Sequence, residues 1–129
     1  MKKKFSKSWI SSTQPRKQRK YRAQAPLHIK NKFMSSHLSK ELKVKYNTRS
    51  VRLRVDDKVK ILRGQFKGQL VKVERVNIKK NKIYLTGIEL VKKDGTKVLY
   101  PINPSNVVIM ELYLDDKKRI KSLEKTQKK

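Results

Sequence analysis

Arg63-Gly64-Gln65-Phe66-Lys67-Gly68 is the stretch whose residue types and spacing best suit chemistry, and that chemistry is contact with phosphate rather than bond making. Two cations flank glycines that can adopt φ > 0, so a tight turn can bring backbone N–H groups and positive charge close to a polyanion. No Gly-Lys-Ser/Thr follows, so the turn is not a Walker loop. The other residues able to do chemistry are sparse. Asp56-Asp57 and Asp115-Asp116 are the adjacent acidic pairs, and both fall where a solvated turn or a helix cap accounts for them. His28 sits between apolar neighbours with no acid or thiol nearby, which reads as a packed or hydrogen-bonded side chain and not a metal ligand. Cysteine is absent, which excludes disulfides, a thiolate nucleophile and a cysteine zinc site. The chain reads as a non-enzyme without cofactor, metal or small-molecule substrate.

The elements around the turn follow from periodicity. Val59 and Ile61 alternate with Lys58 and Lys60, and Val71 and Val73 alternate with Lys72 and Glu74, so two strands bracket it within Val55 to Val76. Asn77 to Lys82 forms a second basic turn with Lys79 and Lys80 at its tip. Ile83 and Leu85 open a third strand that continues through Ile88 and Leu90 with a phase change at Gly87. Asp94-Gly95 signals a hairpin. Val98, Tyr100 and Ile102 give the next inward face, and Pro101 marks an edge or strand end. Asn103 to Asn106 turns the chain into a last strand whose alternating residues are Val108, Met110, Leu112 and Leu114. The expectation is a mainly β domain of five short strands over residues 50–114.

Upstream, Thr13 and Pro15 resemble a helix start, followed by the cations Arg16, Lys17, Arg19, Lys20 and Arg22. Such a helix buries little and is marginal when free, while five cations beside Tyr21 favour phosphate contact over a merely solvated run. Pro26 opens a second helical segment through Leu27, Lys30 and Met34. Ser39 suits the N-cap of Lys40 to Tyr46, with Leu42, Val44 and Tyr46 as its apolar patch and Asn47-Thr48 as its end. Arg49, Arg52 and Arg54 then lead into the first strand, where they can grip phosphates bidentately or serve as a solvated linker. The tail from Asp115 suits a charged helix anchored by Ile120 and Leu123. Phe5 and Trp9, set among lysines and serines in Met1 to Ser12, suit either stacking on unpaired bases or packing beneath the arm.

Charge supplies an independent argument. The 129 residues hold 36 Lys and Arg against 10 Asp and Glu, a net charge of +26. Self-repulsion on that scale calls for a polyanionic partner. Residues 1–49 carry a net +14, residues 50–114 a net +8 and residues 115–129 a net +4. The layout is a domain with modest charge flanked by a basic N-terminal extension and a charged tail, as in modules that dock while their arms follow phosphates. Lysine-rich Met1 to Ser12 has no apolar centre and does not read as a secretory signal, and no apolar run approaches the ~20 residues of a membrane span. The cytosol is the default compartment.

The pattern D-x-V-x-I-x-x-G-x-x-K-G-x-x-x-x-V from Asp57 to Val73 resembles a KOW motif, an RNA- and protein-binding hairpin within a small SH3-like barrel. Pro15 to Lys20, Ala25 to Ile29, Met34 to Leu42 and Pro101 to Val107 extend the likeness, in order, over nearly the whole chain. Together these segments resemble the universal large-subunit ribosomal protein family with a KOW domain, in its archaeal and eukaryotic form. The chain departs from that pattern at Val71, where the family commonly has glycine, and at Asn103, where it commonly has histidine.

The resemblance implies an SH3-like five-stranded barrel with a partly helical extension. It also implies binding to large-subunit ribosomal RNA beside neighbouring ribosomal proteins, a place near the peptide exit tunnel and a part in subunit assembly. It adds His28, Asn103 and Ser105 to the candidate RNA contacts. The others are the helix cations, Arg49, Arg52, Arg54, Arg63, Gly64, Phe66, Lys67, Gly68, Lys79 and Lys80. A KOW module of a transcription elongation factor is the alternative. An SH3-like peptide binder would need an aromatic groove, for which the barrel offers few residues, chiefly Phe66, Tyr84 and Tyr100.

Overall fold

The structure, a computed structural model, describes residues 5–6 and 11–127. Trp9 and most of Met1 to Ser12 therefore lie outside the described residues. Helix α1 runs Pro15–Gln24 and α2 runs Leu27–Phe33; strand β1 (Ser35–Leu38) and helix α3 (Lys40–Tyr46) follow. Then come β2 (Ser50–Arg52), β3 (Lys58–Ile61), β4 (Leu70–Asn77), β5 (Lys82–Leu85), β6 (Glu89–Val91) and β7 (Lys97–Leu99). A 3-10 turn at Pro104–Asn106 leads into β8 (Val107–Glu111), and α4 (Lys117–Gln127) closes the described chain.

Six strands form one mixed sheet in the order β2-β1-β8-β3-β4-β5, and β6 and β7 form a separate two-stranded sheet. The chain is mainly strands, as expected, but the described residues hold eight strands and not five. Two differences account for most of this. Gly87, at φ 77°, breaks the expected third strand, so β5 stays in the large sheet while β6 leaves for the small one. β1 has the short sequence Ser-Ser-His-Leu, too polar to show a strand pattern, and gains its partners only in the fold. It pairs antiparallel with β2 and parallel with β8, so a segment from before residue 50 lies inside the sheet.

The core gathers Met34, Leu38, Val59, Ile61, Val73, Ile83, Leu85, Ile88, Val107 and Ile109 with Leu53 and Ile102. Each fully buried aliphatic side chain contributes on the order of 1.5–3 kcal/mol of transfer free energy. Val59 and Ile61 point inward from β3 as their alternation with lysine requires. β8 runs opposite to expectation. Its inward residues are Val107 and Ile109, while Met110 is exposed. Val-Val-Ile-Met is apolar at both parities, so period two could not choose a face. The pairing of Val59 with Ile109 and of Ile61 with Val107 chooses it.

Three other expected inward residues face out. Val44 is 86% exposed, because it lies two residues from both Leu42 and Tyr46 and so on the opposite side of α3 from their shared face. Leu90 and Val98 are paired across β6 and β7 and both are exposed, since that hairpin lies outside the large sheet.

Local caps match the sequence. Ser39 accepts from Leu42 N–H at 3.3 Å, and Asn47 ends α3 in the left-handed region at φ 47°. α4 is anchored by Leu123 and by Arg119, which is 5% exposed. Arg119 meets Asp57, which is fully buried, through Nη1–Oδ1 at 2.7 Å and Nη2–Oδ2 at 2.8 Å. Asp57 is thus not a solvated turn residue. Asp116 does serve as a cap, accepting from Lys118 N–H at 2.8 Å, and it also pairs with Arg54.

Candidate nucleic-acid interface

The β3–β4 turn is built by its glycines. Gly64 has φ 94° and Gly68 φ 91°, values that an L side chain rarely adopts. Gly68 N–H donates to Ile61 C=O at 2.8 Å and Lys67 N–H to Gly64 C=O at 3.1 Å, closing the loop on itself. Leu62 N–H donates to Asn106 C=O at 2.8 Å, which ties the turn to the 3-10 segment before β8. Ser36 of β1 donates its hydroxyl to Pro104 C=O, fixing that segment from the other side.

Arg63 and Lys67 are exposed, whereas Phe66 is half-buried with its ring centroid 5.5 Å from that of Tyr100. Phe66 thereby pins the turn to the body of the protein. Lys82 donates from Nζ to Asn103 Oδ1 at 2.6 Å. Asn103 thus has an internal partner, and Arg63 to Phe66 of the turn and Asn103, distant in sequence, line one cleft of about 180 Å³, which Lys67 and Gly68 do not line. Pro101 and Asn106 also line it. Ser105 is exposed in the adjoining 3-10 turn.

The other candidates lie on separate elements. Lys79 and Lys80 are exposed in the β4–β5 turn, where Asn77 Oδ1 accepts from Lys80 N–H at 3.1 Å and Asn81 takes φ 54°. On the flanking strands Arg75 lies over the Tyr84 ring, 5.7 Å from its centroid. Arg16, Lys17, Arg19, Lys20 and Arg22 are all exposed on α1, which has no buried residue. Tyr21, half-buried, packs α1 against α2 through Phe33, with ring centroids 6.2 Å apart, and against Phe5 at 4.9 Å. Phe5 is therefore a packing residue here. His28 is exposed on α2, not enclosed by its apolar neighbours.

Arg49, just before β2, and Arg52, at its end, are exposed, and Arg54 shares its guanidinium with Asp116. That contact, first, and the Lys118 N–H, second, hold the Asp116 carboxyl below its usual 3.8. Among the described residues no cluster of three His, Cys, Asp or Glu could hold a metal ion, and no helix is long and apolar enough to cross a membrane.

The sequence reading missed Lys82, Tyr100 and Asn106 as neighbours of the turn, and missed Arg119 altogether. A lysine in a basic turn and an arginine in a charged tail carry no local signal of their partners.

The sequence profile of the family comprising the eukaryotic ribosomal proteins L26 and their archaeal counterparts matches residues 12–126. The chain is 43% identical over 116 residues to a protein of Methanocella arvoryzae named large ribosomal subunit protein uL24, covering 90% of this chain and 94% of that one. It is 47% identical over 112 residues to the protein of the same name from Methanosphaera stadtmanae, covering 87% of this chain and 96% of that one. The chain belongs to this family of ribosomal proteins.

Proposed function

We propose that this protein is a structural constituent of the large ribosomal subunit that binds ribosomal RNA and acts without catalysis. The observation that carries the reading is the cleft end of the sheet, where Arg63, Lys82, Asn103 and the glycine turn converge and none of the lining residues is acidic. A cationic turn that also offers backbone close to its surface suits the ridged phosphate and sugar edges of folded RNA. The five exposed cations of α1, and Lys79 and Lys80, extend the basic surface to elements that bury little of their own. Arg49, Arg52, Ser105 and His28 supply further contacts, and Arg54 divides its charge between RNA and Asp116.

In this role the folded sheet docks first and the N-terminal extension follows phosphates, using RNA to offset its self-repulsion. Assistance to subunit assembly, a place near the exit tunnel and neighbours among the large-subunit proteins are the finer parts of the proposal, supported by the family likeness. The working compartment is then the cytoplasm, on the ribosome.

Sucrose-gradient sedimentation of native lysate at moderate and then high salt tests this. Migration with the large subunit that survives the salt wash is the expected result. Release to the top of the gradient at moderate salt would reduce the protein to a loose polyanion binder. Migration with RNA polymerase would replace the ribosomal reading with that of an elongation-factor module.

A further inference from the structure

The cleft between the β3–β4 turn and residues 101–106 has a construction that phosphate binding alone does not explain. Its volume of about 180 Å³ falls below the roughly 300–1,000 Å³ of pockets for drug-sized ligands. That size suits one planar ring system better than a duplex edge or a bulky peptide segment. Its walls are also chemically sorted. Phe66, Tyr100 and Ile102 give an apolar floor, with the two aromatic rings inclined at 58° and locked against each other. Arg63 and Lys82 supply cations, and Gln65, Asn103 and Asn106 supply carboxamides.

One of those carboxamides is oriented. Lysine offers donors only, so the 2.6 Å contact from Lys82 Nζ fixes Asn103 with its carbonyl oxygen toward the lysine. Its NH2 group is left to donate elsewhere. Lys82 is in turn held at the cleft, where its charge can meet a phosphate without a second ordering cost. The tether of Leu62 N–H to Asn106 C=O and the Ile83–Ile102 bridge brace both walls from behind.

We infer that this cleft is a binding site for a single unpaired nucleotide of RNA, its base on the Phe66–Tyr100 floor, its edge read by Asn103 and Gln65, and its phosphate on Lys82 and Arg63. Unstacked bases are the features of RNA that proteins recognise by aromatic contact together with hydrogen bonds to the base edge. The inference rests on the RNA-binding reading above and adds that this end of the protein selects single-stranded over duplex RNA.

The test uses the full-length 15N-labelled protein at fixed moderate salt. It is titrated with hexauridylate and hexaadenylate RNA, and separately with a blunt-ended RNA duplex long enough to stay paired, compared at equal phosphate concentration. The expected result is saturable movement of the Gln65, Asn103 and Asn106 side-chain amide signals with at least one single strand and not with the duplex. Asn103→Ala is expected to weaken binding of that strand about tenfold, the size of one lost base contact. Its salt dependence should change less than that of a variant lacking the lysine, because Lys82 keeps its charge when its partner is removed. Lys82→Met should instead flatten the salt dependence by about one phosphate contact.

Gln65→Ala, on the opposite wall, is a second variant with the same expected loss, so a folding defect in one does not decide the matter. Binding of strands or duplex with the cleft signals silent, or equal response to strand and duplex, overturns the nucleotide site and leaves the RNA-binding reading standing. Failure of all three RNAs to bind overturns both.

Discussion

Arg119→Met is the substitution with the largest consequence that the structure supports. Asp57 is fully buried, and its carboxylate accepts four N–H groups: Arg54 N at 2.8 Å, Tyr113 N at 2.9 Å, and the two Arg119 nitrogens at 2.7 and 2.8 Å. The guanidinium also donates to Tyr113 C=O at 2.8 Å and Arg52 C=O at 3.0 Å. It therefore joins α4, the segment after β8 and the β2–β3 connection at one buried point. Removing it strands a carboxylate with two neutral donors and leaves two carbonyls short of a partner. Breaking a buried pair in this way costs roughly 3–5 kcal/mol, a large part of the ~5–15 kcal/mol that holds a domain together. The midpoint of thermal unfolding should fall by on the order of 10–25 °C.

Urea unfolding followed by far-ultraviolet circular dichroism measures the loss. Lys118→Met, at the exposed neighbouring position, serves as the control and should stay within about 0.5 kcal/mol of the parent. Asp57→Asn should also be costly, and the double variant should show a coupling of about 2–3 kcal/mol in a mutant cycle. If Arg119→Met remains within about 1 kcal/mol of the parent, the reasoning fails. The two backbone donors would then satisfy Asp57 by themselves, and α4 would be peripheral to the fold.

Three further outcomes are expected. The Tyr113 hydroxyl donates to Asp115 at 2.5 Å, and that hydrogen bond first, and the carboxylate charge second, raise its pKa above the usual 10.0. A group raised in the folded state adds stability that is present below the unfolded value near 10.0 and lost as pH climbs through the folded one. Phenolate absorbance of the parent minus that of Tyr113→Phe should therefore titrate above 10.0, and Asp115→Asn should bring the midpoint back down. Ser39→Ala should destabilise by about 1 kcal/mol in urea, through loss of the α3 cap, and Ser39→Asp should restore it. A Cβ at Gly64 would meet nothing within 4 Å, so Gly64→Ala isolates the backbone strain at φ 94°. It should cost about 1–2 kcal/mol without a change in the core, and equal stability of variant and parent would show that the turn relaxes freely.

Much of this protein was written locally in its sequence. Ser39 and Asn47 mark the two ends of α3, Asp94-Gly95 marks the β6–β7 hairpin, and lysines alternating with Val59 and Ile61 mark the buried face of β3. These signals depend on neighbours a few residues apart, whose sterics and hydrogen bonds act within one turn or one strand. The abundance of cations likewise called for a polyanion whatever the fold, because charge adds over the whole chain.

Tertiary structure alone decided the rest. β1 has no strand pattern and exists because β2 and β8 complete its hydrogen bonds. β8 is apolar on both faces, and only its register with β3 buries Val107 and Ile109 rather than Val108 and Met110. Asp57 and Arg119 stand 62 positions apart, and neither advertises the other. The same holds for Lys82 with Asn103 and for Phe66 with Tyr100. Burial turns an ordinary acid and an ordinary base into a clasp, since in a dry interior each must find the other or carry an uncompensated charge. Sequence announces the groups, and which of them meet is settled only when the strands pack together.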